Sequence, residues 1–225
     1  MGKSAVIIGN GLFPATEFPL YLIREASYIV CCDGALETYF DKLPHGKSPD
    51  AVVGDMDSIS APDSNLAPAR SAGRFKGRYV CIKEQDDNDQ TKAFRYVIEH
   101  FKDIETIHFI GATGLREDHT LGNMALLMEY TRMFDLRSLG ISIDIVSDFS
   151  TILPITDSET LTVGEGRRIS IFTPDNTLRI KSQGLVWPTD DVIFDNWWKA
   201  TLNRASSDTL TLTFSHPSLA LIVLD

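Results

Sequence analysis

Residues 79–111 run YVCIKEQDDNDQTKAFRYVIEHFKDIETIHFIG. A short apolar run at 79–82 leads through an acidic stretch into 90–101, where Ala93, Phe94, Val97, Ile98 and Phe101 recur at helical intervals. A second apolar run follows at 107–110. Strand, helix and strand in that order form the repeating unit of a parallel sheet. The alternation continues on both sides of this stretch. Apolar runs at 5–8, 28–32, 51–53 and 141–146 are separated by helix candidates at 16–26, 36–42 and 121–134. The expected fold is α/β, a mainly parallel sheet with helices on both faces.

Beyond about residue 150 the helical period stops. Short strand candidates at 150–155, 160–163, 168–172, 178–181, 209–214 and 219–224 take over, punctuated by Gly164-Glu165-Gly166, Thr173-Pro174-Asp175-Asn176 and His216-Pro217. The shift predicts two domains, an α/β catalytic domain over 1–148 and a small all-β sandwich over 149–225.

With 225 residues, 43% of them hydrophobic and 23% charged, the composition is that of an ordinary globular chain, which excludes disorder. Counting 21 basic against 31 acidic residues gives 21 − 31 = −10, which argues against a nucleic-acid partner. The three cysteines, Cys31, Cys32 and Cys81, form no CxxC and no zinc-spaced cluster, so a reduced, cytoplasmic setting is expected. The apolar runs, 219–224 for example, are too short to span a bilayer, and residues 1–4 lead directly into a strand-like run rather than a signal sequence. No membrane partner is expected.

Ligands of open α/β sheets gather at the carboxyl ends of the strands, and there this chain concentrates acid. The run at 28–32 ends in Asp33-Gly34-Ala35, and that at 51–53 in Gly54-Asp55-Met56-Asp57-Ser58. The run at 79–82 leads to Gln85-Asp86-Asp87-Asn88-Asp89. Crowded carboxylates repel unless a cation sits among them, and Mg²⁺ suits one or two carboxylates completed by water and phosphate. Asp55 and Asp57 are the leading ligands. Taken alone, Asp55-x-Asp57 is equally a solvated turn or a helix cap, the acidic stretch 86–89 is also explained by helix capping, and Asp89 with Lys92 reads first as a surface ion pair.

The stretch 111–123 combines Gly111 and Gly114, which permit tight turns, with Arg116, Asp118 and His119. It is no Rossmann fingerprint, and no GxxxxGK[ST] occurs, so ordinary dinucleotide and P-loop readings lack support.

Taken in order, Asp33-Gly34-Ala35, Gly54-Asp55-Met56-Asp57-Ser58, Gln85-Asp86-x-x-Asp89-x-x-Lys92-Ala93, Gly111-x-x-Gly114-x-Arg116-x-Asp118-His119-x-Leu121-x-Asn123 and Gly184-Leu185-x-Trp187 resemble the thiamine pyrophosphokinase family. The resemblance implies transfer of a pyrophosphoryl group from ATP to thiamine with release of AMP, dependence on Mg²⁺, and a homodimer with shared active sites. It implies that Asp55, Asp57 and Asp89 are metal and catalytic carboxylates, with Asp118 in the catalytic set. Asp33, Gln85, Lys92, Arg116 and Asn123 would hold ATP. Trp187 would stack on thiamine, with Asn203 beside it.

The chain departs from the family pattern in places. Asn88-Asp89 stands for a usual Thr-Asp, Leu115 for a small residue, and Ala200-Thr201-Leu202-Asn203 for a serine-rich segment. Trp197 and Trp198 are adjacent, so a strand there turns one to the core and leaves the other for a dimer contact. Two alternatives remain open: another Mg²⁺-dependent phosphoryl-transfer enzyme with an Asp-x-Asp site, and a non-catalytic nucleotide- or thiamine-binding module.

Overall fold

The structure, a computed structural model, describes residues 2–56 and 73–225. Asp57 and Ser58 lie outside the described residues. The chain divides into two compact units, Met1–Leu126 with Leu136–Asp148, and Leu127–Asp135 with Phe149–Asp225.

In the first unit six strands pair in parallel. They are β1 (Lys3–Ile8), β2 (Tyr28–Cys32), β3 (Ala51–Gly54), β4 (Arg78–Cys81), β5 (Ile104–Ile110) and β6 (Ser142–Val146), in the order β6-β5-β1-β2-β3-β4. The chain builds outward from β1 to β4 and then returns to lay β5 on the other flank of β1. The strand order therefore reverses between β1 and β5. Such a switch point is where open α/β sheets bind ligands.

The buried alternation along the strands serves two helical layers. Val6, Ile8, Ile29, Cys31 and Val52 share one core with Ile23 of α1 (Glu17–Glu25) and with Leu36, Tyr39 and Phe40 of α2 (Ala35–Lys42). On the opposite face α3 (Asp89–His100) lies against β1, β2 and β3, and its Phe94 ring packs 5.6 Å from Phe109 of β5. Fully burying each such side chain contributes roughly 1.5–3 kcal/mol. The core therefore needs no covalent staple, and all three cysteines are free.

The helices α1, α2 and α3 start within one residue of the expected positions, whereas the two helices that follow depart from the expectation. The α4 helix (Glu117–Met133) begins four residues before the expected Leu121, so Asp118 and His119 lie in its first turn rather than ahead of it. Glu117 and Asp118 favour that start, because acid complements the positive end of the helix dipole. A short α5 (Leu136–Leu139) follows, which the apolar pattern does not announce. Among the described residues no helix is long and apolar enough to cross a membrane.

The second unit carries two antiparallel sheets. One joins β11 (Ala200–Arg204), β9 (Arg168–Phe172), β13 (Ala220–Leu224) and β7 (Thr151–Ile155) in that order. The other joins β10 (Ile180–Gln183), β12 (Thr209–Phe214) and β8 (Glu159–Thr162). Ile169, Ile171 and Ile222 from the first sheet meet Ile180, Leu210 and Leu212 from the second in one apolar core, so the unit is the expected sandwich. The β11 strand was not expected. Its pairing with β9 slips between Ala200 and Asn203, and Leu202 there takes φ 58°, a left-handed conformation that hides the period-two signal. Trp197 and Trp198 lie in the turn before β11, and both are exposed, so neither enters the core.

Two loops of this unit, one between β9 and β10 and one between β12 and β13, are tied by Asp175. Its Oδ1 accepts from the Thr177 N–H at 2.8 Å and hydroxyl at 2.6 Å, while Oδ2 takes His216 Nε2 at 2.9 Å and Ser218 Oγ at 2.8 Å. Thr177 first, then His216 and Ser218, hold this carboxyl well below the usual carboxylate range. A depressed pKa stabilises the fold above the unfolded value, about 3.9, and that stabilisation is lost as pH falls toward the folded value. Asp175→Ala is expected to lower Tm by roughly 3–6 °C at pH 7, with the gap to wild type closing at pH 2–3. Melts that coincide at pH 7 would show the clasp to be dispensable.

Candidate active site

A cleft of about 290 Å³ opens at the carboxyl edge of the parallel strands. Its floor is built at the switch point. The loop after β1 and the loop after β5 are laced by backbone bonds, Gly9 N–H to Ile110 O at 2.8 Å, Gly11 N–H to Gly111 O at 2.6 Å and Leu12 N–H to Thr113 O at 2.8 Å. That approach requires glycine: a Cβ on Gly11 would stand 2.5 Å from the Gly111 oxygen.

Around this floor the strand ends deliver carboxylates. Asp33 follows β2 and is buried, Asp55 follows β3 half-buried, and Asp89 opens α3. Gly54 shows how closely two of them converge, since a Cβ there would sit 2.8 Å from Asp33 Cβ and 3.3 Å from Asp89 Oδ1. Lys92, only 3% exposed, extends its Nζ to 3.7 Å from Asp89 Oδ1. Gln85 donates Nε2 to Asp55 Oδ2 at 3.3 Å, and Asp87 is held by Arg95 at 2.8 Å.

The electrostatics follow from that crowding. Burial pushes the Asp89 carboxyl above its ordinary range, Lys92 pulls it down, and the charges of Asp33 and Asp55 add to the rise. Burial also pushes the Cys32 thiol up, and the nearby Asp89 charge adds to the rise. One ammonium among several carboxylates leaves the cleft negative, an arrangement that a hard cation and its bound phosphate would complete.

The donors test that idea directly. Among the described residues no three side chains of metal-binding type already close on one point. Mg²⁺ does not need them to, because it combines one or two carboxylates with water and phosphate oxygens. Oxygen-only donors converging on a glycine with no side chain fit such an open site.

The structure brings Asp33, Asp55, Gln85, Asp89, Lys92 and Asn123 to this cleft, together with Asn88 and His119. Arg116 and Asp118 are not on its wall. Arg116 donates to both Asp118 oxygens, from Nε at 3.1 Å and Nη2 at 2.6 Å, and both side chains are exposed. That pairing, helped by the His119 N–H, holds the Asp118 carboxyl down at about 2. Asn10, beside Gly9 and Gly11, lines the cleft and escaped the sequence reading. Gly-x-Gly directly after the first apolar run was the available signal.

In the second unit Trp187 is 59% exposed, so it is no core tryptophan. Its backbone is gripped by buried Asn203, whose Oδ1 accepts the Trp187 N–H at 3.2 Å and whose Nδ2 donates to the Trp187 carbonyl at 2.6 Å. The Asn203 side chain is thereby turned to the tryptophan backbone.

Comparisons with known proteins bear on the family and the fold. Residues 20–137 match the family model described as thiamin pyrophosphokinase, catalytic domain, and residues 151–219 match thiamin pyrophosphokinase, substrate-binding domain. The fold is similar to the thiamine pyrophosphokinase structure from Bacillus subtilis, with a TM-score of 0.76, 19% identity, and 99% of each chain covered. It is also similar to thiamin pyrophosphokinase from Candida albicans, with a TM-score of 0.74, 17% identity, and 100% of this chain and 90% of that one covered. No curated protein sequence matches the chain.

Proposed function

Because the chain belongs to the thiamin pyrophosphokinase family and carries both its catalytic and its substrate-binding domain, we propose that it transfers a pyrophosphoryl group from ATP to thiamine, giving thiamine diphosphate and AMP. The observation that carries this reading is the convergence of Asp33, Asp55, Asp89 and Lys92 at the switch point of the sheet.

The thiamine hydroxyl oxygen forms a bond to the β-phosphorus while the bond from that phosphorus to the α,β-bridging oxygen breaks, and AMP leaves. Catalysis of this kind is chiefly alignment and charge neutralisation. Buried Lys92 offsets phosphate charge, Gln85 and Asn10 donate from the rim, and a carboxylate of the cluster takes the hydroxyl proton. Asp55 and Asp89 would hold Mg²⁺, which when bound would neutralise charge on the phosphate oxygens; Asp57, the further ligand named from the sequence, lies outside the described residues. Arg116 is already engaged with Asp118 through Nε and Nη2, which leaves Nη1 to donate to a phosphate. The exposed Trp187 ring offers a face to the thiazolium cation.

Exposed Val186, Ile193, Trp197, Trp198 and Leu202 support a homodimer formed through the second unit. Free thiols support a reducing, cytoplasmic location.

The deciding experiment incubates the protein with ATP, thiamine and Mg²⁺ and separates the nucleotides. AMP and thiamine diphosphate in equal amounts are expected. ADP or free phosphate instead would assign another phosphoryl-transfer class, and calorimetric binding of both ligands without product would make the chain a binding module.

A further inference from the structure

The Asn88 side chain carries out two tasks at once. Its Oδ1 accepts from the Thr91 N–H at 2.9 Å and from the Thr91 hydroxyl at 3.0 Å, which caps α3. Its Nδ2 donates to Asn123 Oδ1 at 3.1 Å, and Asn123 Nδ2 donates in turn to the Ala112 carbonyl at 2.7 Å. The chain of bonds begins at a backbone donor and ends at a backbone acceptor. Both groups have fixed polarity, so each amide has one orientation that satisfies its neighbours. Turning either one over sets nitrogen against N–H, or oxygen against oxygen.

We infer that Asn88 and Asn123 form a positioning relay, which holds the first turn of α3 in register with the loop between Gly111 and Gly114. The first turn of α3 carries Asp89 and Lys92. The loop, with φ 68° at Gly111 and 93° at Gly114, is held at its ends, by the loop after β1 at Gly111 and Thr113 and by Thr120 Oγ1, which accepts the Gly114 N–H at 3.3 Å, while Asn123 holds its middle. Ala112 is buried within it, and the Asn123 amide fixes its carbonyl. Asn123 then acts on the reaction through Ala112, and Asn88 acts through both. Misalignment by about 1 Å can lower a rate about 100-fold, so this register is worth holding. The relay deepens the reading of the cleft as a pyrophosphoryl-transfer site and rests on it for its kinetic consequence.

Asn88→Ser keeps an acceptor for the α3 cap but is too short to reach Asn123. Asn123→Ala removes the second arm. Each is expected to lower kcat about 10- to 30-fold while the KM for ATP stays within about 3-fold. The double variant is expected to be no slower than the slower single, since one broken link already opens the relay. Amide exchange at residues 112–114 is expected to speed up in Asn88→Ser, although that change touches no atom of the loop. Losses that multiply in the double variant, wild-type kcat in either single, or unchanged exchange would each overturn the relay. If the wild-type chain forms no AMP, the functional reading fails, and the exchange measurement still decides whether the two asparagines hold the loop.

Discussion

Asp89→Asn is expected to lower AMP formation by about 1,000-fold or more while the metal-free protein melts about 2 °C higher than wild type. Both effects have one electrostatic cause. Asp89 sits partly buried beside Asp33 and Asp55, and its carboxyl is pushed above the ordinary range even with Lys92 pulling it down. An acid whose folded pKa is raised destabilises the fold once ionised. The penalty is absent below the unfolded value, about 3.9, grows as pH rises toward the folded value, and is full at neutral pH. Asparagine keeps the shape and removes the charge. Lys92 then keeps fewer negative neighbours, but the upward shift already includes its attraction, so the net sign is set. The same charge is what a cation and its phosphate require. Added Mg²⁺ with ATP should therefore raise Tm in wild type more than in the variant. Turnover retained in Asp89→Asn would remove the metal-site assignment, and a lower Tm in the metal-free variant would reverse the electrostatic account.

Trp187→Ala is expected to raise the KM for thiamine about 30- to 100-fold, with the KM for ATP within about 3-fold and Tm nearly unchanged. A core tryptophan would behave in the opposite way, since its loss costs about 3–5 kcal/mol of stability. Trp187 differs because the residue is 59% exposed while its backbone N–H and carbonyl are both held by buried Asn203. The ring is thus displayed from a fixed base, and a cation on its face meets little ordering cost. Asn203→Ala supplies the contrast, since it opens both backbone bonds and should lower Tm as well as weaken thiamine binding. Kinetics with each substrate varied in turn, beside thermal melts, separates the two variants. Equal rises in both KM values for Trp187→Ala would make the ring structural.

The two predictions stand on residues of unequal legibility. Asp89 was visible because a strand-like run, an acidic turn and a helical period occur in order at 79–101, and that order alone puts its carboxylate at the sheet edge. Asn10 was not visible in the same way. It carries no charge, and its importance comes from the loop after β5, a hundred residues away, to which Gly9 and Gly11 are laced. Arg116 shows the converse. Its type suits phosphate, yet its geometry is set by Asp118 two residues on, and sequence spacing does not say which anion a guanidinium holds. Asn203 was legible only through the family resemblance, as the end of the segment 200–203, and not as the group that grips the Trp187 backbone. That contact depends on the irregular β11 strand, where Leu202 breaks the alternation.

Periodicity and punctuation in the amino-acid sequence determined two things by themselves. They are the change from alternating strands and helices to short antiparallel strands, and the collection of acid after successive strands. Both are local signals, carried by residues one to four positions apart. Tertiary structure alone decided the reversal of strand order between β1 and β5, the convergence of Asp33 and Asp89 on Gly54, and the passage of hydrogen bonds from Asn88 through Asn123 to Ala112. Those are meetings of groups distant along the chain. Their energies depend on separations of about 3 Å that only the closed sheet brings about.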